Sequence, residues 1–241
     1  MAIGSIDVLV LAIDTATTRV SAALGDRGAV IGEVSLAGGR RHAEQLAPAI
    51  QYLCRELDVS LAQLAAIAVD IGPGLFTGLR VGVTTAKVMA QALRIPIVAV
   101  TSLDLVAYPL RHTNRLIVAV LDARRHEVFC ASYRPVPGGV QRVSDYEVRQ
   151  PDELVAELES GTDELLLAGD GIGAFRDELS SLDHAELAGV GFDAPSVAAL
   201  VELATAHAER EEFQPQSEIR PLYLRTSDAE INWDRAPVGG A

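Results

Sequence analysis

The chain has 241 residues, 49% of them hydrophobic and 5% aromatic, so Ala, Val and Leu carry its core. Its formal net charge of −13 excludes an extended nucleic-acid surface, because phosphate binding needs clustered Lys and Arg. The two cysteines, Cys54 and Cys130, stand far apart without a CxxC, which fits reduced thiols in the cytoplasm and offers no metal signature.

The apolar run 6–13 is interrupted by Asp7 and is too short to cross a membrane, so no membrane contact is expected. Residues 8–13 are continuously apolar, as in a strand buried on both faces, and end in the polar turn Asp14-Thr15-Ala16-Thr17-Thr18. Strands follow over 20–24 and 29–35 around a Gly25-Asp26-Arg27-Gly28 hairpin. A helix over 42–57 places Leu46, Ile50, Leu53 and Leu57 on one face, with Pro48 expected in its first turn or at a kink. Next come a strand over 66–71, a glycine-rich loop, a helix over 78–93 and, after Pro96, a strand over 97–100. The plan then starts again. An apolar run over 116–121 ends in Asp122, a strand covers 128–133, and a third, weaker strand covers 140–148. A short helix over 151–158 precedes a strand over 165–168 that runs into Gly169-Asp170-Gly171. The last element is an amphipathic helix over 196–210. The repeated order predicts two related α/β halves, residues 1–108 and 109–224, with 225–241 as a flexible tail.

The glycine-rich stretch 72–82 is the most informative segment. A glycine turn between a strand and a helix is a place where backbone N–H groups approach a phosphate. Neither standard template fits. A P-loop needs Gly at position 77 followed by Lys and Ser/Thr, and here stand Thr77, Gly78 and Leu79. A dinucleotide fingerprint beginning at Gly72 and Gly74 also needs glycine where Thr77 stands. Downstream, Gly78, Gly82, Ala86 and Ala90 recur every four residues and form a stripe of small side chains on one helical face. Each helical glycine costs about 1 kcal/mol against alanine, so something must pack closely there. That something is either the protein's own sheet or a partner helix.

Several of these motifs together resemble one family over nearly the whole chain. The segment 12–17 resembles the first phosphate loop of the actin, sugar-kinase and heat-shock-chaperone ATPase superfamily. The wider set resembles the bacterial TsaB (YeaZ) family of tRNA threonylcarbamoyladenosine biosynthesis. It comprises His42-Ala43-Glu44 with Leu46 and Pro48, the stretch 72–82, Ala86-Lys87 and Ile95-Pro96. It continues with Thr101-Ser102-Leu103-Asp104, Asp122-Ala123-Arg124-Arg125, Gly169-Asp170-Gly171 and Pro221-Leu222-Tyr223-Leu224-Arg225. Leu75 departs from the family, which commonly carries Ser there, and so removes one phosphate donor.

The resemblance implies two RNase H-like domains, the second smaller and more irregular, and a non-catalytic scaffold and activator. The expected partner is the TsaD-type catalytic homologue, which transfers a threonylcarbamoyl group to a tRNA adenosine beside the anticodon. A small P-loop ATPase (TsaE) would join them, tRNA would be met only through the complex, and the chain alone would form a homodimer. The docking residues would be His42, Leu46, Gly78, Arg80, Gly82, Ala86 and Lys87. Asp14, Thr15, Gly72, Gly74, Asp122, Gly169, Asp170 and Gly171 would form a vestigial nucleotide cleft. No cofactor is expected beyond weak or interfacial ATP or ADP. The catalytic relative holds its metal on two histidines, and by the resemblance Ser102 and Val106 occupy those positions. No two of the five histidines here stand at i and i+4.

Taken singly, Asp14, Asp122 and Asp170 also read as turn aspartates at strand ends. Glu44 reads as a carboxylate in a helix's first turn rather than a catalytic partner of His42. Two other classes stay open: an ATPase or small-molecule kinase of the same superfamily, which needs an acidic metal site, and a metallopeptidase, which needs metal ligands.

Overall fold

The computed structural model describes residues 8–37 and 41–225. Five strands form the first sheet: β1 (Leu9–Asp14), β2 (Arg19–Asp26), β3 (Ala29–Ala37), β4 (Ala66–Asp70) and β5 (Ile97–Val100). Their spatial order is β3-β2-β1-β4-β5, with β1, β4 and β5 parallel and the β2–β3 hairpin antiparallel. Both faces of this sheet are covered, which is why β1 and β4 are uninterrupted apolar runs. Leu9, Leu11 and Ile13 pack with Leu46, Ile50 and Leu53 of α1 (His42–Glu56) and with Val83, Ala86 and Ala90 of α2 (Phe76–Leu93). The alternate residues Val10 and Ala12 pack with Leu200, Val201 and Ala204 of a C-terminal helix at Val197–Glu209.

The second sheet holds β6 (Leu116–Arg124), β7 (Glu127–Val136), β8 (Gly139–Arg142), β9 (Glu147–Arg149), β10 (Leu165–Ala168) and β11 (Ala185–Leu187). Its order is β11-β10-β6-β7-β8, and β9 also pairs with β7. Helix α3 (Ser102–Ala107) covers one face. The other face is covered by α4 (Pro151–Glu159), α5 (Gly171–Ala174) and α6 (Arg176–Leu179). The Val197–Glu209 helix is thus α7. Among the described residues, no helix is long and apolar enough to cross a membrane.

Four expectations are corrected. The strand expected over 140–148 is two strands, because residues 131–132 of β7 lie opposite 143–146 and the mismatch breaks the pairing. Pro48 lies in the second turn of α1, inside the helix, which removes the first-turn placement, one of the two expected for it. Helix α2 begins at Phe76, ahead of the expected Gly78. Helix α7 falls in the second half of the chain, yet it packs on the first sheet and closes that sheet's open face. Its amphipathic pattern shows that one face must be buried and leaves open against which sheet. The expected tail lies, beyond Arg225, outside the described residues.

Candidate functional site

The parallel register of β1 and β4 sets Ile13 beside Val69, so the two strands end side by side in Asp14 and Asp70. Both aspartates are fully buried. Asp14 Oδ1 accepts from Ala16 N at 2.8 Å, and Asp70 Oδ1 accepts from Gly72 N and Ser102 Oγ, both at 2.7 Å. Among the described residues, no donor reaches either Oδ2. Burial raises the Asp14 carboxyl to about 6, and raises Asp70 well above its ordinary value, with the charge of Asp14 adding to the effect. Burial thus favours the neutral form of both carboxyls, and the charge of Asp14 adds to that effect at Asp70. Sequence reasoning missed Asp70. The signal was available: the apolar run 66–69 ends in an aspartate, as do 8–13 and 116–121.

In front of this pair, the first turn and the glycine loop interlock. Thr15 Oγ1 donates to Gly78 O at 2.8 Å, and Leu75 N donates to Ala16 O at 2.7 Å. A Cβ at Gly74 would collide with the Ala16 carbonyl, at Gly78 with the Thr15 carbonyl and at Gly82 with the Thr15 hydroxyl. Gly72 adopts φ +101°, a conformation open to glycine. The small-residue stripe therefore packs on the chain's own loop and core. His42, 3% exposed, reaches Thr17 O through Nε2 at 2.8 Å, and Leu46 and Ala86 are buried as well. His42, Leu46, Gly78, Gly82 and Ala86 are interior residues, not docking residues. Their spacing showed a close approach; the occupant came from a turn more than sixty residues upstream.

Arg80 and Lys87 also bind within the chain. The Arg80 guanidinium lies 4.1 Å from the centre of the Phe76 ring and donates to the Tyr223 hydroxyl at 3.3 Å. Lys87 Nζ donates to Ile219 O at 3.1 Å. With Leu222 N on Ile71 O at 2.7 Å and Tyr223 against Phe76, these contacts fasten the C-terminal segment across the glycine loop.

A cleft of about 430 Å³ opens beyond that segment, between residues 74–77, 122–125 and 222–225. Gly74 and Asp122 line it; Asp14, Thr15, Gly72, Gly169, Asp170 and Gly171 do not. Asp122 is held by Arg124, whose Nη1 stands 2.8 Å from its carboxylate. Asp170 Oδ1 accepts from Asp122 N at 2.9 Å, and burial pushes its carboxyl up to about 6. A Cβ at Gly169 would collide with the Val120 carbonyl, and one at Gly171 with the Val120 side chain. Asp170 and its flanking glycines thus brace the end of β6. Arg124, Arg125 and His126 all adopt left-handed φ (64°, 56° and 60°), so this hairpin tip is held in a conformation costing roughly 1–2 kcal/mol per residue. Among the described residues, no three His, Cys, Asp or Glu side chains gather as a metal site.

Two α/β lobes, with the glycine loop, the β6–β7 tip and the C-terminal segment lining the cleft, make up the actin-like ATPase fold. The ethanolamine utilization protein EutJ of Carboxydothermus hydrogenoformans shares this fold, with a TM-score of 0.50 at 10% identity over 84% of this chain and 91% of that one. Similarity in sequence is narrower. The family described as TsaD, tRNA N6-adenosine threonylcarbamoyltransferase, matches residues 30–233. The tRNA threonylcarbamoyladenosine biosynthesis protein TsaB of Bacillus subtilis is 33% identical over 228 residues, 93% of this chain and 97% of that protein. The Haemophilus influenzae TsaB is 28% identical over 94% of this chain and 96% of its own length. YeaZ from Pseudomonas aeruginosa superposes with a TM-score of 0.78 at 28% identity, over 90% of this chain and all of that one. The chain belongs to the TsaB (YeaZ) branch of the TsaD family.

Proposed function

We propose that the chain acts in tRNA threonylcarbamoyladenosine biosynthesis as a cytoplasmic scaffold and activator without chemistry of its own. The observation that carries this reading is the match, over nearly its whole length, to a relative named for that pathway. Its partner would be the TsaD-type catalytic homologue, joined by a small P-loop ATPase, with tRNA met only through the complex. Side-chain chemistry supports the non-catalytic part. At the two positions where the catalytic relative would carry histidines, Ser102 spends its hydroxyl on Asp70 and Val106 is core. Any ATP or ADP would be held weakly, or shared with a partner.

With the small-residue stripe buried, the docking face moves to the outer side of the same helices. There an open groove of about 490 Å³ runs along Phe76, Thr77, Arg80, Val81 and Thr84 beside Ala43. Val88 is 59% and Tyr52 49% exposed on the outer sides of α2 and α1. This face would also serve the homodimer, because a two-fold contact buries the same patch on both copies. Size-exclusion chromatography with the TsaD-type subunit tests it. Thr84→Arg is expected to weaken the complex, and tRNA modification with it, by about tenfold or more while leaving the circular dichroism spectrum unchanged. A folded variant that assembles and supports modification normally would overturn this docking face. Full modification by the catalytic subunit without this chain would overturn the activator role.

A further inference from the structure

A second cavity, of about 510 Å³, lies between α3, the β7–β8 hairpin and the end of α7, and neither the cleft nor the docking face explains it. Tyr108, Tyr133 and Tyr146, three of the chain's five tyrosines, line it together with Asp104. Asp104 Oδ1 accepts from the Tyr133 hydroxyl at 2.8 Å. The Tyr146 hydroxyl lies 3.0 and 3.1 Å from the two carboxylate oxygens, and Thr101 Oγ1 donates to it at 3.1 Å. Burial and the neighbouring Asp104 charge push both phenols up, so they remain protonated donors.

The charges on the cavity wall do not cancel evenly. His207 and Arg210 both meet Glu212, at 3.1 and 2.9 Å, and Arg142 faces Asp145 at 3.7 Å. Asp104 forms no ion pair among the described residues and is met by hydroxyls alone. The tyrosines already attract cations at the rim. Arg111 sits 4.2 Å from the Tyr108 ring centre and Arg142 sits 4.1 Å from that of Tyr146. A lone carboxylate among aromatic rings, beside apolar Val140 and Leu203, is the chemistry that recognises an ammonium head on a carbon stem.

We propose that this cavity binds an alkylammonium group, its charged head on Asp104 and its carbons against the tyrosines and Leu203. Such a group belongs either to a free amine or to a lysine side chain of a partner. Isothermal titration with n-butylammonium chloride and with a blocked lysine dipeptide, against sodium chloride at equal ionic strength, separates the two sources. Binding of butylammonium without the dipeptide assigns a free amine; binding of the dipeptide assigns a partner's lysine. In either case Asp104→Asn should weaken binding by about tenfold or more, whereas Tyr146→Phe, which keeps the ring, should change it by about threefold or less. If Asp104→Asn does not fold, Leu203→Trp, which fills the cavity from α7, should abolish binding instead. No heat above the sodium control from either amine overturns the proposal, and so does undiminished binding by a folded Asp104→Asn or Leu203→Trp variant.

Discussion

Replacing Asp70 with asparagine tests whether the two buried aspartates share a proton held by Asp70. Asparagine keeps the acceptor for Gly72 N and Ser102 Oγ, and it offers an N–H to Asp14 Oδ2 where the Asp70 proton stood. The sign follows from linkage. Asp14 titrates near 3.8 when unfolded and near 6 when folded, so the native state keeps a proton that the unfolded chain releases. Its stabilising effect is complete below pH 3.8 and is lost as the pH rises through 6, about 3 kcal/mol in all. Asp70 is raised too, by burial first and by Asp14 second. While Asp70 keeps its proton above pH 6, the parent should go on losing about 1.4 kcal/mol per pH unit, and the variant should not. Urea unfolding of both proteins at pH 5, 6 and 7 measures this, and the difference between them cancels every other titrating group. The variant should gain about 1.4 kcal/mol on the parent between pH 6 and 7, roughly 3–6 °C in melting temperature for a chain of this size. Parallel loss in the two proteins between pH 6 and 7 would show that Asp70 does not carry the proton and would refute the shared pair.

Gly82→Leu should destabilise the monomer, because even a Cβ collides with the Thr15 hydroxyl. The expected cost is about 3 kcal/mol, the upper end for overpacking, read as a lower melting temperature by circular dichroism; an unchanged melt would contradict the packing of the stripe. Tyr223→Ala removes the stack on Phe76 and the hydroxyl that accepts from Arg80. It should cost about 1 kcal/mol and speed tryptic cleavage after Arg225, followed by mass spectrometry; equal cleavage rates would mean that the segment is held elsewhere.

The sequence by itself determined the local elements and the family. Residues 8–13 and 165–168 read as buried strands because both faces of each sheet are covered, so their apolar runs are unbroken. The glycine loop was legible because Gly72 needs a left-handed φ and Gly74 and Gly78 need room for a neighbouring carbonyl. Motif order along the chain was enough to mark the TsaB resemblance. Tertiary structure decided what covers what. Periodicity shows that a face is apolar or small and carries no record of its occupant. The stripe on α2 met Thr15, α7 crossed back to the first sheet, and Lys87 and Arg80 held Ile219 and Tyr223. Asp14 and Asp70 became a pair, and Asp104 gained its tyrosines, only because strand register and lobe packing bring together side chains that lie far apart along the chain.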